Sequence, residues 1–230
     1  MQNQVLDRSP PHMQLALPTA LQALASVRSW QRERDIVAQD EVTDRWYCVI
    51  KGAARQCLIR SDGRRQIVDI LLPGDFFGLA GGSQRFAVQA IADHTVVAGY
   101  PRRPVEALME NNPRIAHEVH EQILDRMARL QENLLIVSTM TSVEKVRAFL
   151  GYMAARLPVG PDGAIVLPLS RYDIADQLGI SAEAVSRAIS ELKSNGAIHL
   201  GGPRQVHLLD ADRTGPATRR HWAAQALAPA

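Results

Sequence analysis

A carboxylate, a hydroxyl and a guanidinium fall close together at Glu183, Ser186 and Arg187. In a helix these three, with Ser190, lie opposite Val185, Ile189 and Leu192, whose i, i+4, i+7 spacing marks a buried face. The set has the chemistry of base-edge reading. Arginine can chelate guanine O6 and N7, glutamate can accept from cytosine N4, and serine can adjust to either strand. Each good bidentate contact contributes about 1–3 kcal/mol of discrimination. The plain alternative for Glu183 and Arg187 is an i,i+4 surface ion pair worth about 0.2–0.5 kcal/mol. Both can hold, the carboxylate orienting the guanidinium.

The elements around these residues must position them. Within Leu169–Leu192, Ala175, Gly179 and Val185 have the spacing of a helix-turn-helix: a small residue for close helix approach, a glycine for the turn, a β-branched residue packing back. Ile174, Leu178, Ile180, Val185, Ile189 and Leu192 are its expected core. Ser181 is an N-cap residue for the second helix, which places the reading side chains near that helix's N-terminal end. Ser170, Arg171 and Ser181 sit at helix starts, where hydroxyls and backbone N–H groups suit phosphates, and Ser190 joins them on the outward face. Gly196 ends the helix. Ile198–Leu200 and Gln205–Leu208 then flank Gly201-Gly202-Pro203-Arg204, a hairpin wing with Arg204 near its tip as a further phosphate candidate. Residues 139–212 carry 7 Lys/Arg against 8 Asp/Glu, so binding must rest on a few placed cations. That favours an operator reader over a non-specific DNA coat.

Upstream, residues 26–111 are strand-like. Short apolar runs, Trp46–Ile50 and Ile67–Leu72 among them, alternate with turn signals at Lys51-Gly52, Ser61-Asp62-Gly63, Pro73-Gly74-Asp75 and Gly81-Gly82. Gly52, Gly63 and Gly74 recur at the rhythm of an antiparallel barrel or sandwich. The texture then changes. Asn112 can cap, and Pro113 can open, a helix over 112–138. Ala116, Ile123, Leu130 and Val137 repeat every seven residues, with His120, Met127 and Leu134 four residues after the first three. This stripe predicts a two-stranded seam between copies of the chain, formed by Ile115, Ala116, Val119, Ile123, Met127, Leu130, Leu134 and Val137. Packing on the chain's own barrel is the alternative, and Arg126 and Arg129 fit either a solvated face or that packing. A second helix is expected over Ser142–Leu157, ended by Pro158. The division is thus an arm (1–25), a β-domain (26–111), a dimerisation helix (112–138), a winged helix-turn-helix (139–212) and a tail (213–230).

Composition narrows the classes. A chain of 230 residues with 46% apolar and 22% charged residues suits one or two globular domains. A net charge of +2 does not by itself indicate nucleic acid, and 5% aromatics argue against stacking on single strands. Two cysteines, Cys48 and Cys57, make neither a disulfide framework nor an all-cysteine metal site, and their scarcity fits a reducing cytoplasm. Buried structural thiols are the expectation for both. The N-terminus lacks a basic segment leading into an apolar run, and no stretch reaches the roughly 18 apolar residues of a membrane span. His94, His117 and His120 invite a haem reading, but the latter two, one turn apart on the long helix, suit solvated or seam positions better. No P-loop, H-E-x-x-H or nucleophile elbow occurs, so neither an enzyme nor a bound cofactor or metal is expected.

A glycine-punctuated barrel, a long helix and a C-terminal winged helix-turn-helix, in this order, resemble the CRP/FNR superfamily of bacterial regulators. The resemblance covers about 26–209 and is most specific at Leu169–Leu192 and Pro73-Gly74-Asp75-Phe76-Phe77-Gly78. It implies an α+β fold: a cyclic-nucleotide-binding-like antiparallel β-barrel of jelly-roll type, a dimerisation helix and a winged helix-turn-helix. Glu183-x-x-Ser186-Arg187 is similar to the recognition signature of the FNR and FixK branches. That likeness implies a TTGA–N6–TCAA-like palindrome in duplex DNA, read by those three residues in a homodimer. Activation by contact with RNA polymerase is implied as well, the Pro158–Ile165 turn matching one such surface. Two departures limit the likeness. No cysteine precedes Cys48 to hold an iron–sulfur cluster, and Phe77–Ala87 lacks the glutamate that holds a cyclic nucleotide's ribose. Arg85 could still meet a phosphate, but Phe86 replaces the hydroxyl beside it. The loop is closer to the FixK branch, where activity often needs no small ligand. The alternative is a sensor whose barrel binds a nucleotide or haem to switch DNA affinity.

Overall fold

The structure, a computed structural model, describes residues 19–209. Most of the arm expected over 1–25, the tail at 213–230 and Trp222 lie outside the described residues. The N-terminal half opens with a short helix α1 (Thr19–Gln22), then β1 (Ser26–Trp30), β2 (Asp35–Val37), β3 (Val42–Thr43), β4 (Arg45–Lys51) and β5 (Ala54–Ile59). It continues through β6 (Arg65–Leu71), β7 (Phe76–Phe77), β8 (Gly82–Ser83), β9 (Ala87–Ala90) and β10 (Thr95–Pro101). All pairings are antiparallel, in the orders β1-β10-β4-β7 and β2-β9-β5-β6, with a β3-β8 ribbon at one end. Among the described residues the barrel is therefore two facing sheets, a jelly-roll arrangement, and not one closed ladder. Strand β4 shows why this sheet needs helices. Tyr47 and Val49 point into the sandwich with Leu71, Phe77 and Val97, whereas Trp46 and Cys48 point the other way and are also buried. Period-two alternation with both faces apolar demands a cover on each side.

That cover is helical. The helix α2 (Arg102–Glu110) leads into α3 (Pro113–Thr139), where Asn112 accepts from the Ile115 N–H and Pro113 occupies the first turn, as the sequence predicts. The first two turns of α3 lie on the sheet. Ile115 and Val119 are buried with Trp46, Cys48, Tyr100 and Val105. These two were expected in the seam between copies; the chain's own core takes them instead, because the outer face of β4 and β10 needs covering. Farther along, Ile123, Met127, Leu130 and Leu134 face solvent together with Leu124 and Leu135, while Ala116 and Val137 are half-buried. His117 and His120 are exposed.

The opposite face of α3 is polar and turned inward. Arg126 donates to the Phe76 carbonyl and the Gln56 side chain and lies 3.3 Å from the Asp69 carboxylate. Arg129 meets Asp75 at 3.0 Å. Next comes α4 (Ser142–Ala154), opened by a capping box between Thr141 and Glu144 and ending a turn short of the expected Leu157. Just beyond it, Arg156 donates to the other oxygen of Asp75, to Tyr152 and to the Ile70 carbonyl. One carboxylate of the Pro-Gly-Asp turn thus holds both α3 and the segment after α4. Burial pushes the Asp69 carboxyl up, against the pull of Arg126. Cys48 and Cys57 are both buried, and burial pushes both thiols up.

Candidate nucleic-acid interface

The C-terminal part comprises β11 (Ile165–Val166), α5 (Arg171–Leu178), α6 (Ala182–Ser194), β12 (Ile198–Leu200) and β13 (Gln205–Leu208). The sheet order β11-β13-β12 forms the predicted wing, with Gly201–Arg204 as its loop. α5 and α6 make the helix-turn-helix. Ile174, Leu178, Val185, Ile189 and Leu192 are buried, and Ile180 packs against them. Gly179 ends α5 in the left-handed region at φ 63°, and the Ile180 N–H returns to the Ala175 carbonyl at 3.2 Å. A Cβ there would meet only Val137, at an ordinary 3.8 Å, so the cost is conformational. Gly179→Ala is expected to lower stability by about 1–2 kcal/mol, read as a lower urea midpoint at unchanged slope.

The outer face of α6 stands clear of the body. Glu183 and Arg187 are paired at 3.1 Å, with 76% and 72% of their side chains exposed. The serines are more constrained than the sequence suggests. Ser186 Oγ donates to the Ala182 carbonyl and Ser190 Oγ to the Ser186 carbonyl, each at 2.9 Å. With their protons engaged, both present lone pairs and so are acceptors toward a partner, suited to an exocyclic amino group. Ser181 caps α6, accepting from the Ala184 N–H. Ser170 caps α5, and its hydroxyl both accepts from the Asp173 N–H and donates to Asp173 Oδ2. Its hydroxyl is therefore used within the helix, where it fixes the first turn. Arg171, beside it, has Nη1 buried without a partner, and burial lowers its pKa. Arg204 is half-buried on the wing loop. The preceding turn is tied to the wing, since Gln205 donates to Asp162 at 2.6 Å, and Val159 and Val166 beside it are exposed.

What the sequence does not reveal is how this part is held to the β-domain. Arg55 on β5 reaches Asp173 Oδ1 at 2.8 Å, and Arg65 on β6 reaches Asp173 at 3.0 Å and Asp176 at 2.7 Å. Gln66 donates to the Asp176 carbonyl. Burial raises the pKa of Asp173, but the Ser170 hydrogen bonds and the charges of Arg55 and Arg65 outweigh it, and the carboxyl titrates below its ordinary range. The only sequence signal was local: Ser170-x-x-Asp173 has capping-box spacing.

Comparison with known proteins agrees with this architecture. Residues 27–112 match the cyclic nucleotide-binding domain family and residues 144–213 the Crp-like helix-turn-helix domain family. The two together, joined by a long helix, define a CRP/FNR-type DNA-binding transcription regulator. The nitrogen fixation regulation protein FixK of Rhizobium meliloti (strain 1021) is 35% identical over 193 residues, 84% of this chain and 87% of that protein. The transcriptional activatory protein AadR of Rhodopseudomonas palustris is 35% identical over 77% of this chain and 75% of its own length. The solved structure of FixK2 from Bradyrhizobium japonicum superposes with a TM-score of 0.77 at 34% identity, covering 90% of this chain and 98% of that one. The chain belongs to the CRP/FNR family, in its FixK branch.

Proposed function

We propose that this protein is a cytoplasmic, dimeric transcription activator that reads a TTGA–N6–TCAA-like palindrome and contacts RNA polymerase. The observation that carries the reading is the Glu183–Arg187 pair, solvent-facing on a helix whose other face is locked into the core. Glu183, Ser186 and Arg187 read base edges. Arg171, half-buried at the start of α5, serves a phosphate, assisted by the first turns at Ser170 and Ser181 and by Ser190 and Arg204. The solvent-facing stripe of Ile123, Met127, Leu130 and Leu134 supports pairing of two α3 helices, with Ala116 and Val137 at its margins. Two-fold symmetry then sets two α6 helices in successive major grooves, about 34 Å apart. Exposed Val159 and Val166 offer the polymerase surface. Activity without a small ligand is favoured by the 78–84 loop. Arg102 already donates to the Gly78 and Leu79 carbonyls, and Gln84 to those of Ala80 and Gly82.

The test is an anisotropy titration of the ligand-free protein against the palindrome and a scrambled duplex. Tight, selective binding is expected. Weak, unselective binding would move the ligand-gated alternative ahead. In the same assay Arg171→Ala is expected to weaken binding to both duplexes alike and to flatten the salt slope by about one unit per protomer.

A further inference from the structure

We infer that Arg55, on the β-domain, is a positioning residue for operator reading: it sets the angle at which α6 is presented. The inference rests on the palindrome reading above. Arg55 is only 2% exposed, and a charge so deeply buried must find partners for its N–H groups. It does: Nε and Nη2 donate to Gln89, Nη1 and Nη2 to Glu33, and Nη1 to Asp173. Asp173 divides its carboxylate. Oδ2 closes the capping box of α5, and Oδ1 takes Arg55 and Arg65. The first turn of α5, which carries Ser170 and Arg171, is thereby tied to β5. Arg65 and Gln66 hold Asp176 one turn on, so that rotation of α5 about its own axis is blocked as well as translation. The grip leaves the outer face of α6 uncovered, so loosening it disorders the reading head without changing which side chains face DNA. A palindrome is read at one spacing only if both heads are fixed, and fixing them beforehand spares ordering entropy on binding.

The experiment titrates the full-length protein against palindromes with spacers of five, six and seven base pairs, and follows amide exchange across α5. Wild type is expected to prefer six. Arg55→Met should bind that duplex roughly tenfold more weakly, lose most of its preference over five and seven, keep its affinity for scrambled DNA, and exchange α5 amides faster. Arg55→Lys should recover part of the spacing preference. Arg55→Met leaves the buried Asp173 carboxylate without its Arg55 partner; should that variant fail to fold, Arg65→Gln on the half-exposed side of the same contact decides the case, with a smaller change in the same direction. A wild type without operator preference overturns the palindrome reading beneath the inference. A wild type that prefers six, with variants that keep that preference or bind more tightly, overturns the positioning role itself.

Discussion

Replacing Arg187 by alanine is expected to weaken operator binding by between about 30-fold and more than 10⁴-fold while leaving affinity for scrambled DNA nearly unchanged. Each bidentate guanine contact is worth about 1–3 kcal/mol, and a palindrome loses two, or about 2–6 kcal/mol. Folding should not suffer. The pair that Arg187 makes with Glu183 is exposed on both sides, and pairs of this kind contribute a few tenths of a kcal/mol. Specific and non-specific binding therefore separate cleanly in one titration. Operators substituted at single positions should show the loss concentrated at one base pair of each half-site. A variant that still discriminated would remove Arg187 from the reading set.

Asp75→Ala is expected to cost about 3–5 kcal/mol of stability, the range for breaking a buried ion pair from one side. Asp75 is 11% exposed and holds Arg129 and Arg156, themselves 23% and 16% exposed, and it also accepts from the Leu72 N–H. Alanine leaves both guanidinium groups short of their anion at the junction of α3, α4 and the sheet. For a chain of this size the melting temperature should fall by roughly 6–20 °C. Adding Arg156→Met should return part of the loss, because one stranded cation is removed; thermal unfolding of the single and double variants measures both effects. No recovery in the double variant would mean that the Leu72 cap, not the charge, carries the cost.

The helix-turn-helix and the long helix were legible because their signals are local. Asn112-Pro113, Ser181, Gly179 and the spacing from Ile174 to Leu192 each act within a few residues, and each element formed where they pointed. Ile115 and Val119 show where periodicity stops being informative. An apolar stripe says that a face is covered but not by what, and the first two turns of α3 are covered by β4 and β10 of the same chain. Hydroxyl roles at Ser170 and Ser186 were half legible, since a serine's availability depends on which carbonyl or carboxylate its proton finds. Arg55 and Asp173 stand 118 positions apart, and no pattern within either segment connects them. The sequence allows Arg126 and Arg129 either solvent or packing; burial of Asp69 and Asp75 opposite them decides for packing.

Ala53, Cys57, Ile67, Ile70 and Leu72 of the N-terminal half share one apolar core with Phe149, Leu150, Met153, Leu178 and Val185 of the C-terminal half. The two halves are consequently not interchangeable cassettes. A chimera that joins this DNA-binding part to a relative's β-domain inherits mismatched surfaces unless the complementary strands travel with it. Recombination within the family is then fruitful only where the crossover preserves both sides of that shared core, and drift on one side obliges a matching change on the other.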